Sequence, residues 1–254
     1  MVIAAVVLGI IVGVLLEVVG GGGSILAVPA LVYGVGLPLD QAIPTWLIVV
    51  GTASAVAVLP RLRGGVKWRL ALIVGSSGVV TAFASSAVNE LLDTQFLLLL
   101  FAAIMVVAGI RMLLRQRVGG GPCSRSDGGA VWRSCLPRAI GMGAVVGFLT
   151  GLLVVGGGFL IVPALTLVLG LPLGVTVGTS LVIIALNSAA GIAAHLGDVS
   201  LDWPVTFAFA GGAMLASLVS SRAGKSLPDM AIKRAFAVFV LIVAVFVAVS
   251  AFVI

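Results

Sequence analysis

The chain has 254 residues, of which 61% are hydrophobic and only 9% are charged, and its mean hydropathy is +1.35. Because a soluble domain of this size cannot cover so much apolar surface, the composition excludes a soluble globular protein and predicts an integral membrane protein. The net charge of +6 does not indicate nucleic-acid binding, since the basic residues are few.

The N-terminal stretch, MVIAAVVLGIIVGVLLEVVG, is apolar and has neither a basic region nor a clear cleavage site. We therefore expect it to belong to the mature fold and not to a signal peptide. Glu17 is the only acidic residue inside an apolar segment away from the connections. A carboxylate within a membrane is a functional candidate, here as a proton carrier. The alternative is an external-side residue near a mouth of the pathway.

Four consecutive glycines, Gly20 to Gly23, interrupt the apolar sequence, and Ser24 follows them. Glycine is about 1 kcal/mol per residue less favourable than alanine in a helix, so this run breaks the helix. The segment from Ser24 to Gly36 would make about 20 Å of helix, which is shorter than the hydrocarbon core of about 30 Å. The sequence predicts a re-entrant helical hairpin with the glycines at its tip near mid-membrane; a segment that crosses twice is the alternative.

The sequence overlays itself when Gly9 is placed on Gly143, a shift of 134 residues. This shift aligns two glycine tracts, two VPAL motifs and two GLPL motifs. Three apolar segments follow each tract, and each is close to the roughly 20 residues that cross a membrane. They cover residues 41–59, 70–88 and 95–114, then 175–195, 204–221 and 235–254. We predict an all-α membrane protein with repeats at 1–115 and 138–254, joined by a linker at 116–137.

The 14 lysine and arginine residues all lie in three connections, whereas other connections carry only acidic residues: Asp40, then Glu90 and Asp93, then Asp198 and Asp202. Basic connections are typical of the cytoplasmic side. The connection after the first span is basic in the first repeat and acidic in the second, so the repeats are predicted to be inverted. We expect a cytoplasmic (inner) membrane protein whose 116–137 linker is cytoplasmic and whose two termini are external.

Two cysteines, Cys123 and Cys135, lie in the long polar region between the repeats. Because this region is predicted to be cytoplasmic, we expect both thiols to be reduced. They do not provide the four ligands of a structural zinc site. The sequence therefore predicts no metal site and no cofactor.

The glycine breaks place helix N-termini inside the membrane. The first N–H groups of a helix have no partner in that helix, and its dipole is positive at that end, so two such ends predict an anion site without a buried lysine or arginine. The alternative is tight helix packing, which we prefer for the isolated glycines Gly9, Gly13, Gly143 and Gly147. The predicted anion-binding residues are Gly21, Gly22, Gly23, Ser24, Gly156, Gly157, Gly158 and Phe159.

Polar residues also lie halfway along the first span of each repeat: Thr52, Ser54, Asn187 and Ser188. Polar side chains at this depth usually find a partner or a ligand, so we include all four in the predicted site. The alternative for the three hydroxyl groups is a bond to a carbonyl of their own helix. His195, at the end of its span, is a second candidate for proton coupling or gating.

The motifs GGGSILAVPAL and VGGGFLIVPAL, each followed by GLPL, and the stretch GTSLVIIALNSAAGIAAHLGDVSLDW resemble the TauE/SafE, or sulfite exporter, family. The resemblance covers nearly the whole chain. It implies transport of small sulfur-containing anions such as sulfite, sulfonates or thiosulfate. The first repeat departs from GTSL by reading PTWL at Pro44–Leu47, so a polar role of Ser180 need not recur there.

We therefore expect a secondary transporter that binds a small oxyanion between the two glycine tips and exposes it alternately to each side. Protons or the anion gradient are the expected driving force. A passive anion channel is the alternative, and an enzyme is not expected because no nucleophile and base are paired in the sequence. The expected partners are the anion and the lipid bilayer, and a homodimer is left open.

Overall fold

The computed structural model describes residues 2–21, 30–62, 64–89, 93–114, 129–153, 158–194, 201–223 and 229–253. These ranges are almost entirely helical and contain no strand. Six helices within them are long and apolar enough to cross a membrane. The all-α membrane fold class is therefore confirmed.

The helices follow the order that the repeat predicts. In the first half they are α1 (Val2–Val19), a π-helical turn (Ala30–Val35), α2 (Leu39–Val58) with a 3₁₀ turn (Leu59–Arg61), α3 (Trp68–Asn89) and α4 (Thr94–Leu114). In the second half they are α5 (Gly129–Leu153), α6 (Gly158–Leu167), α7 (Leu173–Ala194), α8 (Trp203–Ala223) and α9 (Asp229–Val253).

All six predicted spans lie on helices, namely α2, α3 and α4 and then α7, α8 and α9. Five of these helices are among the six that are long and apolar enough to cross a membrane, whereas the apolar part of α9, Arg234–Val249, is shorter. The helix before the second glycine tract is longer than expected, because α5 has 25 residues and its part Cys135–Leu152 is itself long and apolar enough to cross a membrane. By contrast, α6 has only 10 residues, or about 15 Å of helix. The second hairpin thus has one long and one short arm. In the first repeat the described end of the short arm is π-helical, not the expected α-helix.

Two interfaces repeat across the chain, since α1 packs along α8 and α5 packs along α3. Isolated glycines allow both close approaches, as small residues do between membrane helices. A Cβ atom at each of them would collide with the partner helix: Gly9 with Phe209, Gly13 with Ala213, Gly143 with Ser77 and Val74, and Gly147 with Gly78. The packing interpretation of these four glycines is confirmed.

The equivalent helices α2 and α7 cross at the centre of the molecule. Gly191 faces Leu47, and Gly51 faces Ser188. Residue numbers rise along one helix while they fall along the other, so α2 and α7 run antiparallel. Each also packs against one equivalent neighbour, α2 against α8 and α7 against α3.

Cys135, near the start of α5, is disulfide-bonded in the structure. The prediction of reduced cysteines is therefore wrong at this residue. Cys123 lies outside the described residues.

Candidate functional site

The two glycine segments touch each other in the interior. Gly21 follows α1, and its backbone lies so close to the carbonyl group of Gly158 that a Cβ atom on Gly21 would collide with it. The same Cβ would lie 3.2 Å from Cδ1 of Ile184 on α7. The backbone angle φ is +71° at Gly20 and +150° at Gly21, a region that favours glycine because it has no side chain. The contact therefore depends on glycine in both conformation and space.

Ser180 holds the first glycine turn against α7. Its hydroxyl lies 2.6 Å from the carbonyl oxygen of Gly20 and 2.9 Å from that of Val177, and Ser180 is fully buried. The first bond joins two distant parts of the chain, whereas the second stays within one helix. Sequence analysis noted Ser180 only as part of the GTSL motif, and its partner on the other repeat becomes visible only in the fold.

The second glycine segment leads into a buried helix N-terminus. Helix α6 begins at Gly158, and Phe159, its second residue, is 0% exposed. The ring of Phe101 on α4 meets the ring of Phe159 edge-on, with 5.2 Å between centroids, and fixes the start of α6. Of the predicted anion-binding residues, Gly21, Gly158 and Phe159 are thus brought together. Gly22, Gly23, Ser24, Gly156 and Gly157 lie outside the described residues.

Three of the four polar residues at mid-span face the interior to different degrees. Ser54 and Ser188 are buried, and Asn187 is half-buried. The hydroxyl oxygen of Ser54 and the side-chain oxygen Oδ1 of Asn187 are buried without a hydrogen-bond partner. Buried polar atoms normally have partners, so both oxygens are able to receive a ligand or a water molecule. They belong to the helix crossing at which Ser188 packs against Gly51.

Thr52 differs from these three residues. It is exposed, and its hydroxyl donates to the carbonyl oxygens of Ile48 at 2.7 Å and Val49 at 3.1 Å. It therefore adopts the bond within its own helix that was the alternative for this residue, and the structure does not bring it to the glycine turns.

Trp46 is a site candidate that sequence analysis missed. It is 9% exposed, and its indole N–H has no hydrogen-bond partner. In the repeat alignment Trp46 occupies the position of Ser180, because PTWL replaces GTSL. Ser180 donates to the backbone of the first glycine turn, so Trp46 carries a donor at the equivalent place of the other repeat. The departure from the motif was the signal, but its meaning depends on the unpartnered N–H group.

Glu17 is buried at the end of α1, three residues before Gly20, with 1% exposure. Its Oε1 accepts a hydrogen bond from Nη1 of Arg61, whose side chain is 22% exposed. Arg61 belongs to the basic connection that was predicted to be cytoplasmic. Under that topology Glu17 does not lie near the external mouth, which was the alternative to proton coupling. His195, the other coupling candidate, lies outside the described residues.

A separate cavity of about 770 Å³ lies between α4, α5 and α6. Its lining is mostly apolar, with Ile104, Leu160 and Val168 among its residues and Arg111 as its charged group. It contains none of the predicted site residues. Within the described ranges, no group of three histidine, cysteine or acidic residues is placed to hold a metal ion.

Comparison with known proteins agrees on one family. Residues 5–247 match the family described as Sulfite exporter TauE/SafE. A Probable membrane transporter protein of Xylella fastidiosa (strain 9a5c) is 32% identical over 245 residues, covering 94% of this chain and 92% of that relative. The Probable membrane transporter protein YunE of Bacillus subtilis (strain 168) is 30% identical over 226 residues, covering 82% of this chain and 83% of that relative. No solved structure matches the chain.

Proposed function

Because the chain belongs to the TauE/SafE sulfite exporter family and is a membrane transporter by that membership, we propose that it carries small sulfur-containing oxyanions by alternating access. Sulfite, sulfonates and thiosulfate are the substrate class. The observation that carries this proposal is the contact of Gly21 with Gly158, where the two glycine segments meet at the buried start of α6.

The chemistry of this region suits an oxyanion. The first N–H groups of α6 have no partner in their own helix, and the positive end of the helix dipole lies there. On α2, which packs against α7, Trp46 carries an N–H group and Ser54 a hydroxyl, both buried and unpartnered. An indole N–H only donates, so its natural ligand is an acceptor such as an oxyanion oxygen. Anions bound in this way need no buried lysine or arginine.

Alternating access is supported by the pairing of equivalent helices. The antiparallel crossing of α2 and α7 and the matching α1–α8 and α5–α3 interfaces are the arrangement that an inverted repeat requires. Inverted repeats permit two states in which the halves exchange roles around a fixed central site. A site between the two glycine turns then opens to one side in each state.

We place the basic connection after α2 and the start of α7 on the cytoplasmic side, with both termini external. Two contacts support this topology. The backbone N–H of Lys67 donates to the hydroxyl of Thr179 at 3.2 Å, near the start of α7. At the other end of α2 the hydroxyl oxygens of Thr45 and Thr206 lie 3.4 Å apart. The second contact joins two helix ends that lie next to acidic residues, Asp40 and Asp202, and the first brings the start of α7 to the basic connection.

A ligand screen on the purified protein tests the proposal. Sulfite, thiosulfate, an alkyl sulfonate, sulfate, acetate and chloride are compared for the rise in thermal midpoint that each produces at equal ionic strength. A ligand at 100 times its dissociation constant stabilises the folded state by about 2.7 kcal/mol. We expect sulfite, thiosulfate or the sulfonate to give the largest shift. Equal shifts for all anions, or no shift with any, would contradict the substrate class.

Transport by a carrier is then tested in proteoliposomes loaded with the anion that binds best. A carrier shows counterflow, in which unlabelled anion inside accelerates the entry of labelled anion from outside. Gly21→Val places a side chain against Gly158 and should abolish both binding and counterflow. Gly174→Val is the matched control, because a Cβ atom there meets nothing within 4 Å. Currents without counterflow would indicate a channel.

A further inference from the structure

The ion pair between Glu17 and Arg61 joins the ends of α1 and α2 next to the first glycine turn. The two side chains differ in access to solvent, since Glu17 is 1% exposed and the side chain of Arg61 is 22% exposed. Arg61 is therefore the member of the pair that a solute reaches first from the basic connection. Nη1 of Arg61 also lies 3.3 Å from the carbonyl oxygen of Ala57, which holds the guanidinium group near α2.

The pair leaves the carboxylate incompletely satisfied. Oε2 of Glu17 is buried without a hydrogen-bond partner, and so is the hydroxyl oxygen of Ser217 on α8, which lies nearby. An ionised carboxylate accepts about four hydrogen bonds, so the guanidinium group of Arg61 and the neighbouring hydroxyl of Ser217 leave part of its acceptor capacity unused. Because taking both charges out of water offsets much of their attraction, such a pair is readily exchanged for a better one.

The Glu17–Arg61 ion pair occurs in the first repeat and has no counterpart at the aligned positions of the second. In the repeat alignment Gly151 takes the place of Glu17 and His195 takes the place of Arg61. A Cβ atom on Gly151 would collide with the backbone of Ala82, so that position is filled by helix packing. The carboxylate thus has no equivalent in the second repeat, and whatever the pair does acts on one side of the membrane.

We propose that the Glu17–Arg61 ion pair is a gate that the transported oxyanion opens by competing with Glu17 for the guanidinium group. This inference rests on the proposed function and names a binding residue and a coupling step for it. Arginine matches the oxygens of an oxyanion with two parallel hydrogen bonds, which Glu17 does not obtain here. When the anion takes Arg61, the released carboxylate binds one proton from water, so one proton accompanies the anion.

The charged and titratable groups on the elements around Glu17 leave Arg61 as its ion-pair partner. Among the described residues, Arg61 is the charged group within ion-pair distance of Glu17. Ser217 on α8 lies next to the Glu17 carboxylate. The described part of α7 contains no charged residue. Lys67 lies further along the same connection as Arg61, and burial lowers the pKa of its ammonium group. Arg234, on α9, is exposed.

Four variants of the full chain test the gate: Glu17→Gln, Arg61→Gln, the double variant and Arg69→Gln. The measurement is the affinity of purified protein for thiosulfate at two pH values. Thiosulfate is chosen because its charge is the same at both. If the pair occupies Arg61 for nine-tenths of the time, Glu17→Gln should bind about tenfold more tightly than wild type, because the competitor is gone. Wild-type affinity should rise as pH falls, since protonation removes the competing charge, and Glu17→Gln should lose this dependence.

The double variant isolates the guanidinium group, because it also removes the carboxylate that Arg61→Gln alone would leave buried and unpaired. It should bind about tenfold more weakly than Glu17→Gln. Arg69→Gln, which removes an exposed charge from the same connection, should bind like wild type. Unchanged affinity and pH dependence in Glu17→Gln, or equal affinity of the double variant and Glu17→Gln, would overturn the gate while leaving the transporter proposal intact. Absence of binding of thiosulfate, sulfite and the alkyl sulfonate in every protein, wild type included, would overturn both.

Discussion

The interface of α1 with α8 and that of α5 with α3 are equivalent, yet they differ at their third contact. The first two contacts use glycine in both repeats and bring the helix backbones together. At the third, Gly151 continues this packing against Ala82, whereas Glu17 in the first repeat bonds to Arg61. The positions that build the scaffold are thus the same, and a position next to a glycine turn carries a charge in one repeat alone.

A second difference lies on the central helices. Ser180 on α7 donates to the first glycine turn, and the equivalent Trp46 on α2 has a buried N–H group with no partner. The first glycine turn is therefore closed by the protein's own hydrogen bond, whereas the donor at the equivalent position of α2 is unused. The repeated glycines thus build the helix interfaces, whereas the unrepeated Glu17 and Trp46 make the two halves chemically different.

The largest effect is expected from Arg61→Ala. Removing this partner leaves the buried carboxylate of Glu17 without its counter-charge, which costs about 3 kcal/mol when one member of a buried pair is lost. The thermal midpoint of the purified protein should fall clearly. Gln at position 17 should recover most of this loss in the double variant Glu17→Gln/Arg61→Ala. A midpoint equal to wild type in Arg61→Ala would show that the pair contributes nothing to stability.

The shared glycine contacts should respond alike in the two repeats. Gly13→Val and Gly147→Val each force a side chain into the backbone of a partner helix, and overpacking of this kind costs about 1–3 kcal/mol. We expect similar losses of thermal stability and of folded yield for both. Gly141→Val on α5, where a Cβ atom meets nothing within 4 Å, is the control. A large loss in one repeat and none in the other would break the equivalence of the interfaces.

A smaller effect, confined to binding, is expected from Trp46→Phe. The substitution keeps an aromatic ring but removes the N–H group, so anion affinity should fall by about tenfold, or about 1.4 kcal/mol. The free protein should lose little stability, because no hydrogen bond of that N–H exists to be broken. Trp68→Phe, at an exposed tryptophan that begins α3, serves as the control. Unchanged affinity for the oxyanion would remove Trp46 from the site.

Most of the architecture was predictable from the sequence, because apolar length, glycine breaks and basic connections depend on local composition. The helices α2, α3, α4, α7 and α8 lie where the spans were predicted. The helix α5 is longer than predicted, because the length of the segment after a glycine break does not indicate the length of the helix before it. Partners at long range were not predictable: nothing local indicates that Arg61 reaches Glu17 or that Ser180 bonds to Gly20. The sequence also did not decide whether the hydroxyl of Thr52 would face a ligand or, as the structure shows, donate to a carbonyl oxygen of its own helix.

The smallest expected effect separates two polar residues of α2 that the sequence did not distinguish. Ser54 has a buried, unpartnered hydroxyl, whereas the hydroxyl of Thr52 is bonded to its own helix. A buried polar group without a partner costs free energy, so Ser54→Ala should leave the free protein as stable as wild type or stabilise it by up to about 1 kcal/mol. If that hydroxyl serves the anion, the same variant should bind it a few-fold more weakly. Thr52→Val should change neither quantity. The informative result is that Ser54→Ala keeps or gains thermal stability while its affinity for the anion falls. If Ser54 had only a structural role, Ser54→Ala would lose stability and its affinity would not change. Thermal midpoints with and without thiosulfate, measured on both variants and on wild type, decide between the two roles.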